Sequence, residues 1–481
     1  MENLFNEDKI QEECGVFGVS LNVDEAAGVV YNGLLSLQHR GQEAAGIASI
    51  ADNNIRCHKD LGLVTEIFSG TIPKLSKSRV AIGHTRYASK GTNLKENAGP
   101  FVREYLTGRI VVAQNGNIQN AAELKEKLKA KGLYFKGTSG TEVIAALVAS
   151  EINAVAKGNP TAGIDALAAG ITKACEQLEG AFSLAIACGH GVLIAVRDPI
   201  GFRPLCIGKS KLGIAISSES AALEAAGFDL DSAVAPGEIV IIKDAKVVKR
   251  ETVLFPGEVH HCRGCAKAAT CKAMGLCSFE YVYFARPDSI IDGLEVYKAR
   301  HRMGRTLAKE SPVDADYVVG VPDSGLPAAH GYASGSGIPL TAGFVKNRYV
   351  GRSFIYPTQE QRESIVRVKL NPLKSSINGK KIILVDDSIV RGTTISRIVK
   401  TLKKVGAKEV HVRISSPPFL NTCNYGTSVD KDKDSLIARQ YTPEEICKQI
   451  GADSLAFISI PGLLDACRDA TTNLCTSCFH R

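Results

Sequence analysis

The spacing of hydrophobic and polar residues changes between residues 255 and 285, so the two parts of the chain predict different folds. Between residues 14 and about 250, short apolar runs follow one another with few helical patterns between them. From Gly293 onward, apolar runs alternate with helical patterns. Successive strands favour an antiparallel arrangement, whereas alternating strands and helices favour a parallel sheet. We therefore predict an α+β domain followed by an α/β domain.

The first part of the chain predicts short strands with a few helices. The candidate strands are Cys14–Leu21, Ala44–Ile50, Arg79–His84, Ile110–Ala113, Phe182–Ala187, Val192–Val196 and Gly237–Ile242. The candidate helices are Ala26–Leu37, Ala121–Lys131 and Glu142–Glu151. Because several strands succeed each other directly, we expect a largely antiparallel sandwich flanked by helices.

The second part predicts a parallel sheet. The candidate strands are Tyr317–Val321, Ile382–Val385 and Glu409–Ile414. The candidate helices are Glu295–Lys309, Gly325–Ser334 and Thr393–Val405. We divide the chain into a leader (1–13), a first domain (14–255), a Cys-rich bridge (256–284) and a second domain (285–481).

Composition excludes several classes of function. The 481 residues are 44% hydrophobic, which is enough for large cores. The net charge of +8 is dispersed, so we expect no nucleic-acid or membrane partner, and a small anionic substrate suits it. No apolar run reaches the roughly 20 residues of a membrane helix, and the acidic N-terminus lacks the apolar core of a secretory signal. A cytoplasmic enzyme is the default, in which the 14 cysteines indicate metal or catalytic thiols.

The stretch from residue 382 to 394 carries the most specific chemistry. A buried strand leads into Asp386 and Asp387, which fall where ligands of parallel sheets bind. These carboxylates can hold ribose hydroxyls directly or through magnesium. The following loop amides, with the Thr393 and Thr394 hydroxyls, can cradle a phosphate at a helix start. The structural alternative is a simple strand–turn–helix with an N-cap.

Four clusters precede this stretch: one is a strand headed by a cysteine, and three are polar clusters at predicted strand or helix ends. They are Cys14–Gly18, Gln38–Gly46, Gly83–Tyr87 and Gln114–Asn117. Alone, a cysteine at the head of a strand is usually a buried thiol, and an arginine is usually a structural cation. Their order along the chain favours a shared functional role over these separate structural ones.

The stretch 382–394 matches the signature of type I phosphoribosyltransferases, and the four clusters resemble N-terminal-nucleophile glutamine amidotransferases. Together, over nearly the whole chain, they resemble the glutamine phosphoribosylpyrophosphate amidotransferase family. The resemblance implies an αββα sandwich domain and a phosphoribosyltransferase domain. It implies a glycosyltransferase that makes 5-phosphoribosylamine, pyrophosphate and glutamate from phosphoribosyl pyrophosphate, glutamine and water, the first step of purine biosynthesis. It also implies a homotetramer inhibited by purine nucleotides.

The resemblance assigns five residues to the glutamine reaction. They are Cys14, Arg40, Arg86, Asn115 and Gly116. Residues 1–13 would be a propeptide, whose removal leaves Cys14 as nucleophile and its α-amino group as base. Asn115 and Gly116 would hold the oxyanion. Arg86 would bind the glutamine carboxylate, and Arg40 would position the nucleophile.

Two departures from the family pattern fall in the glutamine half. The chain has Ser139-Gly-Thr-Glu142 where the family has an aspartate at the second position, and that aspartate receives the glutamine α-ammonium. It also has Asn97-Ala-Gly-Pro-Phe101 where the family has glutamine at the third position. Gly140 lacks a carboxylate, and we consider Glu142 as a substitute. Two alternatives follow: an ammonia-dependent phosphoribosyltransferase, and a regulator that senses phosphoribosyl pyrophosphate.

In the second domain the resemblance assigns a binding site for phosphoribosyl pyrophosphate and one magnesium ion per subunit. The substrate-binding residues are Asp323, Ser324, Lys346, Arg352, Asp386, Asp387, Ser388, Arg391, Gly392, Thr393 and Thr394. The magnesium ligands are Ser324, Asp386 and Asp387. The basic stretch from 346 to 370 resembles the flexible loop that closes over this substrate.

The cysteines allow two metal sites. A local set, with spacing that can hold zinc, is Cys262, Cys265, Cys271 and Cys277. A dispersed set is Cys277, Cys423, Cys475 and Cys478. The contexts of the second set resemble the iron–sulfur branch of the family, which implies one [4Fe–4S] cluster per subunit.

Overall fold

The computed structural model describes most of the chain. The described residues are 11–12, 14–51, 54–70, 72–75, 77–87, 94–105, 108–157, 163–189, 191–252, 275–347, 370–423, 425, 427–428 and 435–480. Outside them lie four of the residues named above: Cys262, Cys265, Cys271 and Arg352. Most of the leader and of the basic stretch 346–370 also lies outside.

The first domain is built on two antiparallel sheets. A short strand of the leader, β1 (Gln11–Glu12), belongs to neither sheet. In chain order, the strands of the two sheets are β2 (Cys14–Leu21), β3 (Ala44–Ala51), β4 (Asn54–Leu61), β5 (Val80–Arg86), β6 (Phe101–Tyr105), β7 (Gly108–Ile118), β8 (Gly180–Cys188), β9 (Val192–Arg197), β10 (Cys206–Ser210), β11 (Gly213–Ser217), β12 (Asp229–Ala233), β13 (Glu238–Lys243) and β14 (Lys246–Thr252). One sheet has the order β12-β10-β11-β2-β5-β3-β4, and the other has the order β14-β13-β9-β8-β7-β6. The apolar runs predicted as strands therefore occupy the sheets' centres.

Helices cover the outer face of each sheet. They are α1 (Ala26–Ser36), α2 (Val64–Ile67), α3 (Ile72–Leu75), α4 (Ala121–Ala130), α5 (Gly140–Ala156), α6 (Ile164–Cys175) and α7 (Ser220–Ala225). One core joins α1 to its sheet through Phe17 and Val30, and another joins α5 to the second sheet through Leu147 and Ile186. A third core lies between the sheets. The predicted αββα sandwich is confirmed.

The second domain contains a four-stranded parallel sheet and several short ladders. The strands are β15 (Leu276–Cys277), β16 (Ile290–Ile291), β17 (Leu294–Glu295), β18 (Tyr317–Gly320), β19 (Phe344–Lys346), β20 (Leu370–Pro372), β21 (Lys381–Asp386), β22 (Glu409–Ile414), β23 (Thr427–Ser428), β24 (Ser454–Phe457) and β25 (Leu474–Cys475). The order β18-β21-β22-β24 is parallel throughout, which confirms the predicted sheet type.

Helices lie on both faces of this parallel sheet. They are α8 (Val296–Glu310), α9 (Leu326–Ser336), α10 (Lys374–Ile377), α11 (Thr393–Lys404), α12 (Ile437–Gln440), α13 (Pro443–Ile450) and α14 (Ile460–Ala466). Met303 of α8 packs on one face with Val385, and Ile398 of α11 packs on the other with Leu384. Burial on both faces explains why β21 is an unbroken apolar run.

The two domains share buried contacts. Phe202 of the first domain lies in the same core as Tyr281 of the bridge and Met303 of the second domain. The short segment Glu280–Phe284 forms one π-helical turn in that core. Within the described ranges, no helix is both long and apolar enough to cross a membrane.

Candidate functional site

Cys14, the candidate nucleophile, begins a central strand of the first sheet. Strand β2 pairs with β5 so that Cys14 lies opposite Arg86, and Ala44 of β3 lies opposite Arg86 on the other side. Cys14 and Arg86 are each 8% exposed, so both are buried but keep a small solvent-accessible surface. The register therefore places the candidate carboxylate-binding cation beside the candidate nucleophile.

Asn115 and Gly116 lie near the end of β7, in the facing sheet. Asn115 is 0% exposed, and its side-chain oxygen and nitrogen both lack a hydrogen-bond partner among the described residues. Since buried polar groups are nearly always bonded, such an amide suits a substrate. Gly116 has a φ of 130°, and a Cβ there would lie 2.2 Å from the Ala181 carbonyl oxygen, so only glycine fits this backbone.

His84 ties the two sheets together beside these residues. Its Nε2 lies 2.9 Å from the carbonyl oxygen of Gln114. Burial, and then the positive charge of Arg86, lowers the pKa of His84 to about 3. The imidazole is therefore neutral at ordinary pH and adds no charge to the site.

The stretch Asn97–Phe101 contacts the residues just before α5. Asn97 Oδ1 accepts hydrogen bonds from the backbone nitrogens of Thr138, at 2.7 Å, and Ser139, at 3.1 Å. The next residue, Gly140, is the first of α5. Asn97 thereby orients the corner at which the family carries its aspartate.

Glu142 is committed to the same loop. It is 5% exposed, and its carboxylate accepts hydrogen bonds from Arg103 Nη2 at 2.8 Å and from the backbone nitrogens of Lys136 at 3.1 Å and Gly137 at 2.9 Å. Both of its oxygens are therefore used within the protein. The substitution of Glu142 for the missing aspartate stays a prediction.

The carboxyl ends of two neighbouring strands form the second candidate site. Asp387, which is 0% exposed, accepts hydrogen bonds from Ser324 Oγ at 2.5 Å and from Ser388 Oγ at 2.6 Å. Ser324 follows β18, which pairs in parallel with β21. Asp386 Oδ1 accepts from the backbone nitrogen of Asp387 at 2.9 Å. The sheet thus brings together residues that lie more than 60 positions apart in the sequence.

A cation and a helix start complete the described part of this site. Lys346 at the end of β19 forms an ion pair with Asp323. Gly392 precedes α11 with a φ of 83°, a conformation that favours glycine, and Thr393 and Thr394 open the helix. The phosphate-cradle residues therefore lie at the predicted helix N-terminus.

The four dispersed cysteines come together beneath the C-terminal tail. Cys277 of β15 pairs directly with Cys475 of β25, while Cys423 and Cys478 pack against the same core. Burial, and then the neighbouring thiols, raises the pKa of Cys478 well above its ordinary value. Among the described residues, no three His, Cys, Asp or Glu side chains are arranged to hold a metal ion as they stand.

Sequence reasoning missed a set of buried charges between the two sites. They include Glu219, Glu280 and Arg300, each no more than 2% exposed. Arg300 donates to the carbonyl oxygens of Tyr281 and Ala285, both at 2.7 Å. Glu280 stands within an apolar run, which offered a signal, whereas Glu219 and Arg300 stand among polar residues and offered none.

Comparison with known families matches both halves. The profile of a glutamine amidotransferase domain matches residues 84–225, and that of a phosphoribosyl transferase domain matches residues 295–416. The chain is 45% identical to an amidophosphoribosyltransferase of Archaeoglobus fulgidus over 469 residues, which cover 97% of this chain and 96% of the relative. It is 42% identical to the Bacillus subtilis amidophosphoribosyltransferase over 476 residues, covering 98% and 94% of the two chains.

A solved structure agrees. Glutamine phosphoribosylpyrophosphate amidotransferase from B. subtilis, complexed with ADP and GMP, superimposes with a TM-score of 0.83 at 41% identity and covers 97% of this chain and 96% of its own. Likeness at this identity extends over both domains and the segment that joins them. The chain belongs to the amidophosphoribosyltransferase family.

Proposed function

We propose that this chain makes 5-phosphoribosylamine from phosphoribosyl pyrophosphate, with glutamine as the source of ammonia. The loop around Asp387 carries the proposal, because Ser324 and Ser388 hold its buried carboxylate at the carboxyl ends of β18 and β21. This is where substrates of open α/β sheets bind. The full-length similarity to amidophosphoribosyltransferases supports the pairing of this site with a glutaminase.

The glutamine reaction uses residues of the first domain. The Cys14 thiolate attacks the glutamine carboxamide, and the α-amino group freed by removal of the leader takes the thiol proton. Asn115, whose side-chain amide is buried without a described partner, donates to the oxyanion. Ammonia leaves, and water hydrolyses the thioester to glutamate. Arg86, opposite Cys14, binds the glutamine carboxylate.

The transferase reaction joins ammonia to the ribose and releases pyrophosphate. Asp386 and Asp387 bind the ribose side of the substrate, Lys346 and the α11 N-terminus bind phosphate, and Arg352 adds a cation from outside the described residues. Closure of the basic loop would exclude water, which competes with ammonia. Positioning and charge stabilisation dominate, since little proton transfer is needed.

Asp386 and Asp387 also fit magnesium. Mg²⁺ prefers oxygen ligands and is commonly held by one or two carboxylates together with substrate phosphates. Ser324 Oγ lies within hydrogen-bond distance of Asp387 and adds a third oxygen. When bound, the ion neutralises charge on the departing pyrophosphate.

We propose that the dispersed cysteines hold a [4Fe–4S] cluster, although no three described side chains are arranged to hold a metal ion as they stand. Four thiols converge from three segments, and the rings of Phe279, Phe419 and Phe479 pack around one another beside them, with centroids 5.3 to 6.0 Å apart. Thiolates in so apolar a place need a compensating positive charge, which a cluster supplies. Cys262, Cys265 and Cys271 take no part in this proposal.

We propose that purine nucleotides regulate this chain, as similar structures suggest. We also propose a homo-oligomer, which the family resemblance implies. The B. subtilis relative was solved with ADP and GMP, and another similar structure, at a TM-score of 0.84 and 41% identity, is described as the allosteric regulatory enzyme of purine biosynthesis. Purine nucleotides are therefore the inhibitors to test first.

Gly140 favours a second candidate, a transferase that uses free ammonia. Pyrophosphate release from processed, iron-reconstituted protein would be measured with glutamine and then with ammonium chloride. Release with both donors supports the amidotransferase, and release with ammonium alone supports the second candidate. No release with either donor contradicts both. Intact mass tests processing, because a mature chain that begins at Met1 contradicts the Cys14 mechanism.

A further inference from the structure

Arg40 lies between two buried carboxylates that come from different parts of the chain. Arg40, Glu219 and Glu280 all have fully buried side chains. Glu219 belongs to the first domain, whereas Glu280 lies in the π-helical turn packed in the second domain's core. We propose that Glu280 and Glu219 are positioning residues for the glutamine reaction, which they serve by fixing Arg40 beside the nucleophile.

Glu219 holds one side of the guanidinium. Arg40 Nε donates to Glu219 Oε1 at 2.5 Å, and His39 Nε2 lies 2.7 Å from the same oxygen. The other oxygen accepts hydrogen bonds from Ser289 Oγ at 2.6 Å and from the backbone nitrogen of Arg286 at 2.9 Å. Although burial opposes ionisation, His39 and Arg40 keep the pKa of Glu219 well below its ordinary value, so Glu219 is a carboxylate.

Glu280 holds the other side. Its Oε2 accepts a hydrogen bond from Arg40 Nη2, and its Oε1 accepts one from Arg203 Nη1 at 2.9 Å. Arg203 is itself 0% exposed. Glu280 thus bridges two buried guanidinium groups of the first domain from a turn that belongs to the second domain's core.

The aliphatic part of the Arg40 side chain lies against the strand that carries the nucleophile. A Cβ built on Gly15, the residue after Cys14, would lie 3.4 Å from Arg40 Cδ. A Cβ on the adjacent Gly41 would lie 2.5 Å from the backbone nitrogen of Arg86. The Arg40–Gly41 turn therefore packs directly against the backbone of both Cys14's and Arg86's strands, and displacement of Arg40 moves the nucleophile.

Charge balance makes Glu280 the sensitive member of this network. Arg40 and Arg203 are two buried cations, and Glu219 and Glu280 are two buried anions. Removal of the Glu280 charge leaves a buried cation without its partner, which is among the costliest changes a core can undergo. A misplacement of about 1 Å at a reacting group can lower a rate roughly 100-fold.

A second buried ion pair joins the same parts of the chain and provides a control. Arg197 donates to both carboxylate oxygens of Asp292, at 2.8 and 2.9 Å, and the two side chains are at most 2% exposed. Neither residue has a described contact with Arg40. Asp292→Asn therefore breaks a comparable interdomain pair without touching the nucleophile's turn.

The test compares Glu280→Gln, Glu280→Asp and Asp292→Asn in the full chain. We expect Glu280→Gln to lower the glutamine-dependent kcat on the order of 10- to 100-fold, with the ammonium-dependent kcat within about twofold of wild type. Glu280→Asp, which retains the charge, should recover part of the loss. The rate of Cys14 alkylation by iodoacetamide, quantified by peptide mass, should fall in parallel with the glutamine reaction.

The inference rests on the proposed function, yet the two can fail separately. Wild-type protein inactive with both donors contradicts the function, while the alkylation rate still tests the network. Equal losses with both donors in Glu280→Gln and Asp292→Asn, with unchanged Cys14 alkylation, would assign Glu280 a structural role only and overturn the inference.

Discussion

At the scale of single residues, Gly140 is the position that most affects glutamine use. Gly140→Asp introduces the carboxylate that the family places there to receive the glutamine α-ammonium. A Cβ at this position would lie 3.2 Å from Ile118 Cγ1, so that side chain must move by a few tenths of an ångström. A charged hydrogen bond contributes about 1.5–3 kcal/mol, so the KM for glutamine should fall roughly 10- to 100-fold.

The control for Gly140→Asp is Gly140→Asn, which has the same shape without the charge. Steady-state kinetics would be measured with glutamine and with ammonium chloride. We expect the ammonium-dependent rate to stay unchanged in both variants. An equal KM for glutamine in the two variants would show that the charge has no role at this corner.

His84 makes stability depend on pH. Its pKa is about 3 in the folded chain because of burial and Arg86, whereas an unfolded histidine titrates near 6.5. Between these values the unfolded chain binds a proton that the folded chain does not, so stability falls as pH drops from about 6.5 toward 3. The slope approaches 1.4 kcal/mol per pH unit for this one group.

His84→Gln removes this titration and keeps a side-chain nitrogen to donate to Gln114. Thermal midpoints would be measured by calorimetry between pH 5 and pH 7. We expect the wild-type midpoint to fall more steeply than that of the variant as pH decreases. Parallel curves would mean that folding does not lower the pKa of His84.

The transferase loop that sequence reasoning found is contiguous in the chain, whereas the partners of Arg40 that it missed are not. Asp386, Asp387 and Ser388 follow one strand, so a local pattern reveals them. The bonds of Arg40 to Glu219 and to Glu280 span 179 and 240 positions. Such partners depend on how whole domains pack, which no short pattern encodes.

At the scale of elements, burial decided which strands could be predicted. Strands β2 and β22 were predicted with their observed bounds: β2 is mostly apolar, β22 alternates apolar with polar residues, and both lie in the interior of a sheet. Strand β4 was missed, since it lies at a sheet edge and most of its residues are exposed or half-buried. Helix α5 begins at Gly140, two residues before its predicted start at Glu142.

The loop after β21 binds the substrate that reacts with ammonia from either donor. A substitution in this loop should therefore lower the rates with glutamine and with ammonium equally. Asp387→Asn removes the carboxylate that Ser324 and Ser388 orient. We expect the rates of pyrophosphate release with glutamine and with ammonium to fall together, on the order of 100-fold or more. The magnesium concentration that gives half the maximal rate should rise. Cys14 alkylation should stay at the wild-type rate.

The matched control lies at the opposite edge of the same sheet. Asp316 precedes β18 and accepts a hydrogen bond from the backbone nitrogen of Lys381 at 2.8 Å. Asp316→Asn should leave both activities within about twofold, because ligands bind at the carboxyl ends of the strands. A selective loss of the glutamine reaction in Asp387→Asn would contradict the assigned role.

At the scale of the whole molecule, the C-terminal tail is tied to the segment that joins the domains. Strand β25 pairs in parallel with β15, so Cys475 lies beside Cys277. Three residues after Cys277 comes Glu280, which contacts Arg40 in the first domain. The cysteine cluster therefore anchors a segment on which both domains depend.

Removal of one thiol tests whether a metal cluster holds this anchor. Cys475→Ser keeps the strand pairing but loses one of four proposed iron ligands, so we expect less iron than the four atoms of a [4Fe–4S] cluster and a thermal midpoint lower by about 5 °C or more. Cys447→Ser is the control, because Cys447 lies in α13, away from the dispersed cysteines, where its Sγ donates to the Ala452 carbonyl oxygen at 3.3 Å. Iron content and calorimetry would be measured on anaerobically reconstituted proteins. Wild-type protein that binds no iron, or equal iron in Cys475→Ser and wild type, would contradict the cluster, whereas a loss in Cys475→Ser alone assigns it to these thiols.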